Sequence, residues 1–283
     1  MPDSASSAPT LSHADFITYS AVRLISVSNG SASGSGTGFF YTVKLQGTYE
    51  AILIVTNKHV IEGADEIVFD MHIRDGTKDS GQTERFRYSV KTAPVIHHPR
   101  ADVDLCAIPI SGVIEQMNEI GRLPYFATLT SKNIPNSDEW PNFSAIQPVT
   151  MAGFPNGLAD EKNHMPLVRR GITATSLARD YNGRTDFMVD MACFPGSSGS
   201  PIFVWDPVMT VTSTAIRMGE VHFALVGILY QGPLINNSGQ IVMGVAPSVA
   251  VSTMMHLGQA IKSSELLALE AVVRAMAKAE EAK

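Results

Sequence analysis

Short apolar and β-branched runs, separated by breaks rich in Gly, Ser, Asn and Pro, recur along residues 20–247. That rhythm predicts strands rather than helices. Strands are expected near 20–28, 37–45, 50–56, 65–72, 85–96 and 104–109, and a second series near 147–153, 167–177, 186–191, 200–205, 221–230 and 241–247. Segment 112–121 between the two series reads as a short helix or crossover. Beyond residue 247 the period changes. Leu257 to Ala282 is rich in Ala, Glu and Lys, and Ile261, Leu266, Leu269, Val273 and Met276 recur at helical spacing. Ser263-Ser264 stand where the cap of a second, extra helix is expected. This helix either packs on its own body or offers a dimer or partner contact. Met1 to Pro9 is rich in Ser, Ala and Pro and reads as flexible. The Gly/Ser stretch 28–36 precedes a strand rather than a helix, so it predicts a mobile hairpin and not a phosphate cradle.

Three strand ends carry candidate chemistry. Gly196-Ser197-Ser198-Gly199-Ser200-Pro201 places a glycine-flanked serine directly before a strand. Small residues let the backbone turn so that the amides of Gly196 and Ser198 face a developing oxyanion. A serine hydroxyl needs an imidazole to take its proton and a carboxylate to orient that imidazole. Upstream, the buried strand Ala51 to Val55 ends in Thr56-Asn57-Lys58-His59-Val60, and Asp102-Val103-Asp104 opens the apolar run Leu105 to Ile108. The order His, Asp, Ser is that of the chymotrypsin barrel, and neither subtilisin nor the α/β-hydrolases use it. The hydrolase elbow Gly-x-Ser-x-Gly also fails, because position 200 is serine.

On these residues the chain, over roughly 20–260, resembles the trypsin-like serine peptidases of chymotrypsin fold. Thr56-Asn57-Lys58-His59-Val60 is similar to the histidine segment of cysteine-free bacterial members, and Asp104-Leu105-Cys106-Ala107-Ile108 to the aspartate segment. The resemblance implies an all-β protein of two packed six-stranded antiparallel β-barrels with a C-terminal helical extension. The boundaries expected are a flexible segment 1–19, a first barrel 20–121, a second barrel 122–250 and a helical extension 251–283. It implies the triad His59, Asp104 and Ser198. Asp102 is the rival acid, set aside because Asp104 leads directly into the strand. It also implies that Tyr230, Gln231 and Gly232 form the edge that pairs with a substrate backbone. Ala192 and Cys193 would lie at the floor of the specificity pocket, and Gly244 on its opposite wall. No charge sits at that floor, which implies an apolar or small side chain before the scissile bond. Asp190, just outside, could still reach a basic one. Ser197 replaces the aspartate that binds a newly cut N-terminus in digestive members, so activation by that ion pair is not expected. Loop 153–166 is expected to rim the cleft.

The 283 residues suit one two-barrel unit, and a formal net charge of −6 supplies no electrostatic footprint for nucleic acid. No apolar run reaches a membrane span, and the chain start lacks a signal-peptide pattern. Cys106 and Cys193 are the two cysteines, and both lie in apolar surroundings, as buried thiols would in a reducing cytoplasm. With the resemblance, this implies a bacterial, cytoplasmic, stand-alone peptidase acting on protein or peptide substrates. No metal or other cofactor is implied, since the adjacent pair His97-His98 would point to opposite faces of a strand. Three readings stand: an endopeptidase, a catalytically silent or gated protease-fold protein that binds peptides or partners, and an esterase or transferase using the same triad.

Overall fold

A computed structural model describes residues 11–219, 222–232, 234–240 and 248–281. The described residues open with α1 (His13–Ser20), capped by Ser12 Oγ accepting from the Asp15 N–H. Residues 13–19 were expected to belong to a flexible segment and residue 20 to open the first strand. They are helical because Ile17 is buried among Phe39, Leu53 and their neighbours.

The first half then runs β1 (Ala21–Ser28), β2 (Ser31–Lys44), β3 (Glu50–Thr56), the single turn α2 (Lys58–Ile61), β4 (Glu66–Asp75), β5 (Lys78–Ser89), β6 (Ile96–His97), β7 (Cys106–Pro109), α3 (Ser111–Glu119) and β8 (Pro124–Tyr125). Asn29 and Gly30, both at positive φ, make the two-residue turn that joins β1 to β2 and match its right-handed twist. The region expected as one strand over 85–96 divides into the end of β5 and the short β6.

Pairing in this half follows the order β5-β4-β1-β2-β3-β7-β6, with β8 added to β4, in one eight-stranded sheet. This is an open path, where a closed six-stranded barrel was expected. The β2–β3 pair is apolar on both faces. Phe40 and Ile54 join a core with Leu24, Ile67 and Phe69, whereas Phe39, Tyr41, Leu53 and Val55 turn to a second core shared with the other half. Period-two alternation therefore reads as a continuous apolar run, because both faces are covered.

The second half contains β9 (Pro148–Gly153), β10 (Leu167–Thr173), β11 (Asp186–Asp190), β12 (Pro201–Trp205), β13 (Met209–Val211), β14 (Ile216–Met218), β15 (Phe223–Gln231), β16 (Leu234–Gln240), β17 (Ser248–Met254), β18 (Leu257–Lys262) and α4 (Glu265–Glu281). Six of these strands close a barrel in the order β10-β11-β18-β15-β12-β9. Here the helical expectation for residues from Leu257 is corrected. Leu257–Lys262 is the strand that closes the barrel, paired with both β11 and β15, and the helix begins at Glu265. A boundary at 250 thus cuts off a barrel strand. The expected strand 241–247, with Gly244, lies outside the described residues; β16 and β17 on either side of it form an antiparallel hairpin inserted before β18.

Helix α4 returns to the first half. Leu266, Leu269 and Val273 enter the shared core with Phe39, Tyr41 and Leu105. Two buried carboxylates add polar anchors: Tyr41 Oη donates to Glu270 Oε1 at 2.6 Å, and Glu265 Oε2 lies 3.1 Å from His98 Nε2. The helix therefore packs on its own body, over the seam between the halves.

Candidate active site

His59 sits in α2, immediately after β3. Pairing of Thr56 with Cys106 brings the start of β7 beside α2, so that Asp104 faces His59. Asn57 Nδ2 donates to the Asp104 carbonyl at 2.7 Å and fixes the approach. The Asp104 carboxylate then uses both oxygens: Oδ1 accepts from the His59 N–H at 3.1 Å and Oδ2 lies 2.5 Å from Nδ1. An imidazole held this way carries its proton on Nδ1, which leaves Nε2 as the acceptor. Asp102 behaves differently. Its carboxylate is 56% exposed and turns to the Arg100 guanidinium, whose hydrogen bonds hold it below the usual carboxylate range.

Ser198 lies in a pair of linked turns. Ser197 N–H donates to Phe194 O at 3.0 Å and Ser200 N–H to Ser197 O at 3.1 Å. In each turn the third residue is a glycine at positive φ, Gly196 at 83° and Gly199 at 87°, the pattern of type II turns. At Gly199 the requirement is also one of space, since a Cβ would lie 1.9 Å from Thr37 O. The loop docks on the first half. Thr37 N–H donates to Ser198 O at 2.8 Å, and Thr56 Oγ1 donates to Thr37 O at 2.7 Å, three residues before His59. Among the described residues no protein group accepts from the N–H of Gly196 or of Ser198. Two free amides flank the hydroxyl, as an oxyanion site needs.

His59 and Asp104 are thus in direct contact. The Ser198 hydroxyl is turned elsewhere, donating to the Tyr230 carbonyl at 3.4 Å. A bond of that length is weak, and hydrogen bonds between nucleophile and base are often unformed before substrate arrives.

Of the expected pocket residues, Ala192 is half-buried, Cys193 buried, Tyr230 and Gly232 half-buried and Gln231 exposed. Gly244 lies outside the described residues. Gly258 on β18 instead faces Cys193, with its Cβ direction 2.5 Å from Sγ, so the Cys193 sulfur and the bare Gly258 backbone meet. Asp190 is exposed. Both cysteines are free thiols. Burial pushes the Cys193 thiol up to about 11 and the Cys106 thiol up to about 12, where the Asp104 charge adds to the effect. Neither is a nucleophile at neutral pH.

Several residues of the site escaped sequence reasoning. The Asp186 carboxylate is buried and accepts from Tyr230 Oη at 2.9 Å, Gln259 Nε2 at 3.0 Å and Arg184 Nε at 3.0 Å. Arg184 Nη2 also donates to Asp102 O at 3.0 Å, tying the loop before Asp104 to the second half. Burial, with the neighbouring Asp186, raises the Tyr230 phenol above its ordinary value. Only the strand assignment of 257–262 would have exposed Gly258 and Gln259; the rest depends on long-range pairing. His98 is buried and His97 exposed. Among the described residues no group of three or more His, Cys, Asp or Glu is placed to hold a metal ion, and no helix is long and apolar enough to cross a membrane.

Residues 36–206, more than half of the chain, match the trypsin-like peptidase domain. No curated protein matches the sequence. A serine endoprotease from Yersinia pestis aligns at 18% identity over 93% of this chain and 67% of that one, with a TM-score of 0.49. An HtrA-type protease, AlgW, with a tripeptide aligns at 17% identity over 91% of this chain and 62% of that one, with a TM-score of 0.46. A Mycobacterium tuberculosis protein in an inactive form aligns at 13% identity over 96% of this chain and 93% of that one, with a TM-score of 0.44. The chain spans less than two thirds of the length of AlgW.

Proposed function

Since the chain belongs to the trypsin-like peptidase domain family, and is on that ground a serine protease, we propose that it is an endopeptidase using His59, Asp104 and Ser198. The observation that carries this reading is the Asp104–His59 contact at 2.5 Å beside a serine loop with two unpaired amides. Ser198 Oγ attacks the peptide carbonyl carbon as His59 Nε2 takes its proton. Asp104 stabilises the imidazolium, and the N–H groups of Gly196 and Ser198 bind the oxyanion. Collapse of the tetrahedral adduct expels the amine, which receives the proton from His59. Water then hydrolyses the acyl-enzyme by the same route in reverse.

Tyr230, Gln231 and Gly232 lie at the end of β15 beside Ser198 Oγ, where an extended substrate adds as a further strand. The Cys193 sulfur packed against Gly258 is an uncharged, apolar surface, which favours an apolar or small side chain before the scissile bond. A peptide library cleaved by the natural chain is expected to show that preference, and enrichment of Lys or Arg would overturn it. Two buried free thiols favour a reducing compartment such as the cytoplasm.

A second reading, a gated protein that binds peptides without cutting them, draws on the Ser198 hydroxyl facing Tyr230 O rather than His59. Intact mass after treatment with a fluorophosphonate separates the two. One adduct, located on Ser198 by peptide mapping, is the expected result. No adduct under conditions where the protein is folded would overturn the endopeptidase reading in favour of the second.

A further inference from the structure

An oxyanion donor works only if its peptide plane is held in one orientation. The N–H of Gly196 belongs to the Pro195–Gly196 peptide, and a trans peptide points its carbonyl and its N–H in opposite directions. Holding Pro195 O therefore aims the Gly196 N–H. In this structure the Asn156 N–H donates to Pro195 O at 2.5 Å. The Gly196 α-carbon is pressed on the same turn, with its Cβ direction 2.7 Å from Phe154 O and 2.9 Å from Asn156 N. The short turn Pro155–Gly157 thus sits behind the peptide, and the N–H points away from it.

What locates that turn comes from the other half of the molecule. Thr37 is fully buried, and its hydroxyl works in two directions: Oγ1 donates to Gly196 O at 2.9 Å and accepts from the Phe154 N–H at 3.0 Å. At the far end of the turn, Arg23 Nη1 donates to Gly157 O at 3.1 Å. The same guanidinium is oriented by Glu161, with Nη1 to Oε1 at 2.7 Å and Nη2 to Oε2 at 3.4 Å. Arg23 and Thr37 are register partners on β1 and β2, so one rung of the first sheet grips both ends of the turn.

We infer that the turn Phe154 to Gly157, gripped by the Thr37 hydroxyl and the Arg23 guanidinium, holds the Pro195–Gly196 peptide with its N–H toward the cleft. Thr37 and Arg23 are then positioning residues of the oxyanion hole. The inference rests on the reading of Ser198 as nucleophile and Gly196 as oxyanion donor. It assigns to the first sheet the task of ordering a loop in which Ser197 carries no charge.

The test compares the full natural chain with Thr37→Val, Thr37→Ser and Arg23→Met. It measures kcat and KM on a peptide chosen from the library, and the affinity of a boronate of the same sequence. Thr37→Val removes the hydroxyl at nearly constant shape, and kcat is expected to fall about 100-fold, the scale of one lost oxyanion donor. KM should stay within about twofold, because the loss is confined to the transition state. Boronate affinity should fall in step with kcat, and Thr37→Ser should restore most of it. Arg23→Met is expected to lower kcat about tenfold with KM again unchanged. A residue with only a structural role would lower the thermal midpoint and leave kcat of the folded protein alone. Folded variants that keep natural kcat and boronate affinity would overturn the inference, and Arg23→Met decides the question if Thr37→Val does not fold. A natural chain that neither cleaves peptides nor reacts with fluorophosphonate would overturn the endopeptidase reading, and this inference with it.

Discussion

Ser198→Ala is expected to lower kcat about 10⁶-fold with the fold retained, the scale seen when a triad nucleophile is removed. The size of the loss follows from what surrounds the residue. The neighbouring serines cannot substitute, because Ser197 and Ser200 are both fully buried. Ser197 Oγ is also engaged, accepting from the Phe194 N–H. The thiols cannot substitute either, since burial holds both in their neutral form at neutral pH. Among the described residues, it is the Ser198 hydroxyl that stands between two unpaired amides. Steady-state hydrolysis of a library-derived peptide, with near-ultraviolet circular dichroism as the control for folding, checks the result. Residual turnover close to the natural rate in a folded Ser198→Ala protein would rule out the mechanism.

Asp104→Asn is expected to cost about 10⁴ in kcat, as loss of the orienting carboxylate does in a serine triad. The asparagine keeps the shape of the side chain. Its amide, however, cannot favour the imidazolium, and it sets a donor against Nδ1 or enforces the wrong tautomer. Asp102→Asn should change kcat by no more than about threefold, because its exposed pairing with Arg100 is of the kind that contributes little. The comparison is sharp, since the two residues lie two positions apart and differ only in what they face. The same steady-state assay on both variants decides the matter, and a reversed ranking would transfer the role of the acid to Asp102.

Much of this arrangement is legible in the chain because its signals are local. His59 follows an apolar strand and Asp104 opens one, and those strands pair at Thr56 and Cys106 to bring the side chains together. The turn residues Pro195, Gly196 and Gly199 are likewise readable as chain reversals. The failures also have physical causes. Leu257–Lys262 adjoins a long stretch of strong helix formers, and helix propensity carried across the boundary, although Gly258 is a poor helix former and Ile261 is β-branched. Gly244, expected on the pocket wall, falls between β16 and β17 and outside the described residues, whereas the described glycine that meets Cys193 is Gly258 on β18. Thr37, Asp186 and Arg184 left no trace in any local pattern. Thr37 Oγ1 bonds to Gly196, 159 residues away, and Arg184 to Asp102, 82 residues away. The open first sheet was not visible for the same reason, because closure is a property of edges and not of strand spacing.

The place of β18 bears on how the molecule comes into being. His59, Asp104 and Ser198 all precede residue 200, yet the barrel that presents Ser198 is completed by Leu257–Lys262, and the seam between the halves is covered by α4 after that. Chains are made from the N-terminus at a pace slow enough for early segments to fold first. The first sheet can form while the rest is still being synthesised, but the second barrel cannot close, since both β11 and β15 wait for the same late strand. The order of synthesis therefore leaves the barrel that carries Ser198 open until nearly the whole of the described chain has emerged.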